Sequence, residues 1–257
     1  MKKRFIFLTC HGISILSKVF NFYKISDCER RDKSLLYLRY RSVYDKKIFM
    51  EYLFLIIILI FSIVIHEVSH GAVANYFGDP TAKHAGRLTL NPIKHLDPIG
   101  SIILPVFLIL MAKLMGGGII FGWAKPVPIN PYNFRDQKYG SAKVALAGPA
   151  VNLVIALVFG LSLRFFPALV AFPGLDLMFS YIVYINILLA VFNLLPVPPL
   201  DGSHILFTFL PPGMENIKIF LSQFGLFILL FIIFFFFQWV VLIINWIFAL
   251  IVGAPLF

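Results

Sequence analysis

Five stretches of this chain, residues 52–76, 99–121, 142–172, 175–196 and 216–253, are mostly apolar over about 20 residues or more, the length at which a helix crosses the hydrocarbon core of a bilayer. Nothing else in the sequence limits the fold so strongly. A backbone in lipid has no water to bond with, so a crossing segment is a helix or part of a closed barrel. Barrel strands alternate over about ten residues, and these runs do not. The expected fold is an all-α polytopic membrane protein, a bundle of about five to six transmembrane or re-entrant helices. The last run is long enough for two crossings, broken near Gln238 and Trp239. Composition agrees: 60% of the residues are hydrophobic and 13% charged, against about 45–50% and about 25% in soluble proteins.

The net charge of +10 would suggest nucleic acid if it were spread over a folded surface, but residues 1–48 hold twelve of the 22 Lys and Arg and four of the 12 Asp and Glu, so this tail alone carries +8. A basic, aromatic segment of that kind suits anionic lipid headgroups, and no nucleic-acid partner is expected. The tail is too basic to span a membrane and lacks a small-residue cleavage site behind a long apolar core. At Met50 the chain changes abruptly to MEYLFLIIILIFSIVIHEVSH. Two parts are therefore expected, a basic tail over 1–49 outside the functional core and one integral-membrane domain over 50–257, free of repeats and Ser/Gly-rich linkers. Cys10 and Cys28 both lie in the tail, which leaves the membrane domain no disulfide.

The first apolar run contains IVIHEVSHGAVA, residues 63–74. On a helix His66 and His70 share one face a turn apart and can reach one ion, with Glu67 beside them. This is the HExxH pattern. Two imidazoles hold zinc while the carboxylate takes a proton from a metal-activated water and passes it to the leaving amine. Burying a glutamate in a spanning helix is costly unless it is paired or functional, which argues against a chance match. A catalytic zinc takes three protein ligands and keeps one position open, so one zinc per chain requires a third ligand at membrane depth. The metal-ligating candidates in or beside the later runs include Asp176, Asp201 and His204. Asp201 is the best placed. It ends NLLPVPPLDG, residues 193–202, where Pro196, Pro198 and Pro199 terminate a helix and extend the chain. Such a break, buried in protein, can aim a carboxylate at a metal. His84, His95 and His204 lie at membrane boundaries without a partner at HExxH spacing and read as solvated or headgroup-contacting. Lys125 reads as a snorkelling lysine.

Together, HEVSH in a first spanning helix, AGPAVN at 147–152 and NLLPVPPLDG resemble the site-2 protease family of intramembrane zinc metalloproteases. GRLTLNPIKHLDPIGS and FGWAKPVPINPYNF resemble its compact bacterial and archaeal members without a PDZ domain. The resemblance covers residue 50 to the end. It implies His66, His70 and Asp201 as zinc ligands and Glu67 as the acid and base, in agreement with the residues read alone. It also implies Asn152 and Asn193 as groups that hold substrate or stabilise an oxyanion; a helix-to-helix hydrogen bond explains either amide equally well. The implied activity is regulated intramembrane proteolysis of membrane-spanning or membrane-anchored proteins, after another protease has trimmed them, by a multi-pass protein of the cell membrane. Two rivals remain open, a membrane metal-binding transporter and an inactive relative that binds transmembrane helices.

The segment GRLTLNP, residues 86–92, alternates between Gly86 and Pro92 and predicts a short strand, a hairpin-like piece at the membrane that an unwound substrate could pair with. The family places the end of the HExxH helix on the cytosolic side. Lys83, Arg87 and Lys94, and further on Lys125, Arg135, Lys138 and Lys143, agree with that, whereas the basic tail favours the opposite orientation. A re-entrant turn at Gly116–Gly118 within 99–121 keeps both basic loops on one side and makes that segment a gate beside the site.

Overall fold

The computed structural model describes residues 4–9, 33–104, 107–108, 110–111, 119–166, 172 and 174–255. It is mostly helical. In chain order the elements are strand β1 (Arg4–Thr9), helix α1 (Lys33–Tyr76), the single turn α2 (Thr81–His84), short 3-10 and π turns, strand β2 (Ile119–Ala124), and helices α3 (Gly140–Phe165), α4 (Leu175–Asn193), α5 (Asp201–Phe209) and α6 (Glu215–Val252). Among the described residues, four helical stretches are long and apolar enough to cross a membrane: Leu53–Tyr76 within α1, then α3, α4 and α6.

Two features of the helices stand out. The change of composition at Met50 falls inside a helix, because α1 runs without a break from Lys33 to Tyr76. No Gly or Pro occurs between residues 33 and 70 to interrupt it, and a helical backbone needs no apolar side chains to continue. The break expected near Gln238 and Trp239 is absent. Helix α6 is continuous over 38 residues and stops at Gly253, which takes φ of +86°. At 1.5 Å per residue it is about 57 Å long. A single continuous helix passes through a bilayer once, so this run supplies one crossing and not two.

The spanning helices meet through small residues, as expected where lipid is as apolar as the protein and close packing has to hold helices together. Ala156 of α3, Val183 and Ile187 of α4, and Ile244 and Phe248 of α6 form one buried cluster. Gly160 lets α3 and α6 approach, since a Cβ there would lie 2.5 Å from Ile251 Cγ2. Another cluster joins Ile58 of α1 to Tyr181, Ile185 and Leu189 of α4. Helix α4 thus packs against α1 through one set of side chains and against α3 and α6 through another. The outward face of α6 presents Phe227, Phe231, Phe234, Phe235, Trp239 and Trp246, a surface suited to acyl chains.

The segment between α2 and α3 holds a second difference. GRLTLNP forms no strand. Gly86 turns the chain with φ of +63°, and Arg87 points inward to donate to the carbonyls of Lys94, Lys125 and Pro126. Binding a buried guanidinium overrides the weak pull of an alternating pattern. The strand pairing lies elsewhere, between β1 and β2, antiparallel from Arg4 opposite Ala124 to Thr9 opposite Ile119. The apolar run 99–121 is not among the four spanning helices; it begins as a π turn at Pro98–Ile103 and ends in β2. Gly116–Gly118 lie outside the described residues, as do Lys113, Cys10 and Cys28. The ends of the excursion meet, because the Lys125 N–H donates to the His95 carbonyl at 2.9 Å.

Candidate metal centre

Helix α1 carries His66 and His70 one turn apart on the face turned toward α3. Asp201 stands at the first position of α5, where the unsatisfied N–H groups of a helix start favour a carboxylate. Its placement depends on Gly202. A Cβ at that position would sit 2.3 Å from the Leu194 carbonyl oxygen and 2.4 Å from that of Leu195, so only glycine allows the end of α4 to fold back over the start of α5. Pro198 in the same connection packs against Gly225 of α6. The proline-rich break is thereby wedged between two helices, and Asp201 ends 1% exposed.

The three ligand atoms converge. Asp201 Oδ2 lies 3.1 Å from His66 Nε2 and 3.1 Å from His70 Nε2, and the two nitrogens are 3.1 Å apart. Tetrahedral zinc with nitrogen at about 2.0–2.1 Å sets neighbouring ligand atoms about 3.3 Å from one another. Among the described residues this trio is the group of His, Cys, Asp and Glu side chains that could share one ion.

The outer bonds of the two rings show what the inner edge is made of. His66 Nδ1 faces Asn152 Oδ1 at 2.6 Å, and His70 Nδ1 faces the Val144 carbonyl at 2.6 Å. Oxygens of this kind only accept, so each ring carries its proton on Nδ1 and turns a bare Nε2 lone pair inward. Two lone pairs and an ionised carboxylate at these distances repel one another unless a cation sits among them. The donor set therefore fits zinc. Space for the ion is kept by Gly148 of AGPAVN, where a Cβ would lie 2.3 Å from His70 Nε2 and 2.6 Å from His66 Nε2. The neighbouring Pro149 leaves the Ala145 carbonyl without its helical donor and opens α3 at this turn, next to the Val144 carbonyl that His70 uses.

Glu67 is 2% exposed, and its Oε2 accepts the Val127 N–H at 3.1 Å. Gly71 makes that approach possible, since a Cβ there would be 2.9 Å from Val127 Cγ1 and 2.7 Å from Leu88 Cδ2. The Val127 segment is anchored in turn by Arg87, whose guanidinium reaches the Lys125 carbonyl at 2.8 Å and the Pro126 carbonyl at 3.4 Å. Burial draws the Arg87 pKa below its ordinary value, against the opposing pull of the Glu67 charge. His95 is buried and donates from Nε2 to the Thr89 carbonyl at 2.8 Å. Burial above all, then the charges of Arg87 and Lys94, hold its imidazole below the usual range against the Thr89 bond and Glu67. It is neutral at pH 7.

Of the residues singled out in the sequence, His66, His70, Asp201 and Glu67 lie together and Asn152 lies directly behind His66. The Asn193 amide donates to the Leu189 carbonyl of its own helix at 2.8 Å. Asn152 is fully buried, and its amide is taken up inside the protein by His66, Asn186 and the Ser62 carbonyl. His95 is part of the interior rather than the boundary, and Arg87 spends its charge on carbonyls instead of presenting it to a membrane face. Sequence reasoning passed over Asn186, Ser62, Gly148 and Val127. An asparagine inside YIVYINILLAVF was a usable signal, since an amide at that depth needs partners.

The model of Peptidase family M50 matches residues 168–232, a span that takes in Asp201. Among curated proteins, "Putative zinc metalloprotease YwhC" of Bacillus subtilis is 44% identical over 168 residues, 63% of this chain and 71% of that protein. Rip2 of Mycobacterium tuberculosis, named in the same form, is 31% identical over 172 residues, 66% of this chain and 62% of its own length. "Zinc metalloprotease MJ0392" of Methanocaldococcus jannaschii is 27% identical over 165 residues, 64% of this chain and 36% of its own length. No solved structure matches.

Proposed function

The chain belongs to peptidase family M50, the site-2 proteases, and on that premise we propose that it cleaves membrane-spanning or membrane-anchored proteins within the bilayer, with Glu67 as the acid and base. It is a multi-pass membrane metalloendopeptidase that uses zinc; the substrate class, the cell membrane as its location and the roles of individual residues are the proposal. One observation carries it: three inward-facing ligand atoms 3.1 Å apart with a buried glutamate one residue along the same spanning helix. His66 is ten residues from Tyr76, so the site lies about 15 Å inside that end of the helix.

Zinc held by His66, His70 and Asp201 would acidify a water and polarise the scissile carbonyl. The chain supplies the rest. The Glu67 carboxylate takes a proton and later returns it to the leaving amine. The Val127 N–H holds the carboxylate through Oε2. A substrate helix has its amides bonded internally and unwinds locally before a peptide bond can reach Glu67. The chain just after Lys125 meets the carboxylate through Val127, and we take the excursion between His95 and Lys125 to enter and leave on one side of the membrane as a gate. With Cys10 and Cys28 replaced, single cysteines at Lys83 and Lys138 should label from the same face; labelling from opposite faces would end the gate reading.

The test of the function uses the full chain in detergent, with zinc counted per chain and a panel of single-span substrates. Glu67→Gln should keep zinc and lose cleavage by about a hundredfold or more, whereas His66→Ala should lose both. Full cleavage by Glu67→Gln would remove the glutamate from the mechanism.

A further inference from the structure

Behind His66, away from the ligand cluster, lies a buried polar chain that crosses three spanning helices. Asn152 of α3, Asn186 of α4 and Ser62 of α1 are all nearly or wholly inaccessible. The Asn152 amide nitrogen donates to Asn186 Oδ1 at 2.7 Å and reaches the Ser62 carbonyl at 3.4 Å. The Asn186 amide nitrogen donates to Ser62 Oγ at 3.0 Å and to the Ile182 carbonyl at 2.8 Å. Each group's direction follows from the one before it. A backbone carbonyl only accepts, so Ile182 fixes the nitrogen end of Asn186 and turns its oxygen toward Asn152. That oxygen requires the nitrogen end of Asn152, whose own oxygen must then face His66. Only Nδ1–H of His66 can meet it, and Nε2 is left bare toward the ligand cluster.

We propose that Asn186, with Ser62, is a positioning residue for the metal: through Asn152 it sets which nitrogen of His66 carries the proton and so whether His66 can bind zinc. The inference rests on the zinc reading of the site but not on cleavage. His70 reaches the same state in one step, from the Val144 carbonyl. His66 faces α3 where no backbone carbonyl reaches it, and an amide can be flipped by half a turn, so it needs a fixed reference. The Ser62 carbonyl gives a distant reference at 3.4 Å, and Asn186 supplies the close one, at 2.7 Å, from a third helix. The same contacts account for an asparagine in a helix that is otherwise apolar.

The experiment measures zinc affinity of the purified full-length chain by competition with a chelating indicator, and the visible spectrum of the cobalt form. Asn186→Leu keeps the volume and removes the reference; affinity should fall about ten- to a hundredfold and the cobalt bands should shift. Adding Asn152→Asp should restore affinity, because a carboxylate has two accepting oxygens and needs no orienting to receive the His66 Nδ1–H. Recovery by that second change is not expected if Asn186 serves packing alone. Wild-type affinity in Asn186→Leu, or no recovery in the double variant, overturns the proposal. Should Asn186→Leu aggregate, Ser62→Ala interrogates the same chain with a smaller change, and an affinity loss of about fivefold is expected; no loss there overturns it equally. A wild-type chain that binds zinc and cleaves nothing would sink the protease reading and leave this one standing.

Discussion

The two sides of the site are built differently. The metal side, His66, His70, Asp201, Gly148 and the asparagines behind them, is set on long helices whose packing fixes every group. The Glu67 side is set on irregular chain between α2 and α3, where Arg87 and His95 are held by bonds to backbone carbonyls and the Val127 N–H donates to Glu67. Helices give a metal the rigidity that fixed ligand spacing requires, whereas a partner for a carboxylate that works beside an unwound peptide can be placed on chain that has other ways to move. One active site thus divides its needs between groups set on packed helices and groups set on irregular chain tied down by Arg87.

The largest effect is expected where the helical frame is tightest. Gly148→Ala puts a methyl carbon within 2.3–2.6 Å of both Nε2 atoms, so zinc per chain should fall to background while far-ultraviolet circular dichroism stays helical. Normal zinc in that variant would mean α3 can retreat, and the frame would be softer than described.

On the other side, Arg87→Leu removes the donor shared by three carbonyls. Each unsatisfied buried group costs about 1–3 kcal/mol, and the Val127 segment should drift from Glu67. Zinc should remain stoichiometric while kcat falls about tenfold or more, with Arg87→Lys recovering part of it. Loss of zinc together with activity would show that the two sides are one unit.

A smaller effect concerns the base of the Glu67 side. Asp79 follows α1 and accepts from the Asn130 N–H at 2.7 Å, the Asn133 amide at 2.8 Å, and the Thr81 N–H and hydroxyl. Burial raises its pKa, but these bonds outweigh it and hold the carboxyl below its ordinary 3.8. The unfolded chain thus takes up the proton first. Stability from Asp79 is complete above the ordinary value and is lost as pH falls through it toward the folded one. Thermal unfolding in detergent should show Asp79→Asn melting a few degrees lower at neutral pH, by about 2–4 °C, and with a flatter decline on acidification. An unchanged acid slope would place the pH dependence elsewhere.

The smallest effect is expected from the tail. A chain beginning at Met50 should insert, bind zinc and cleave as the full chain does, since residues 1–49 carry none of the site. Because β1 pairs with β2 just before Lys125, a loss of turnover with zinc intact would extend the Glu67 side into the tail.

Much of the frame was legible beforehand. His66, Glu67 and His70 could be read because a helix fixes the geometry of residues four apart, and Asp201 because prolines next to an apolar run mark where a buried helix ends. The absent break in α6 was misread from length, which limits the number of crossings but does not require a turn where neither Gly nor Pro occurs. GRLTLNP was misread because alternation is a local pattern, and the inward turn of Arg87 answers to carbonyls as far away as residue 126.

The sequence by itself therefore determined a zinc-binding helix in lipid, since side-chain type and spacing along one helix are local properties. Only the tertiary structure decided the rest: that Gly148 leaves room for an ion, that Asn186 orients Asn152 behind His66, and that Val127 meets Glu67. Each of these is a contact between residues from about 30 to more than 80 positions apart. Such contacts exist only once the helices have packed, because no local pattern encodes which carbonyl will face which amide.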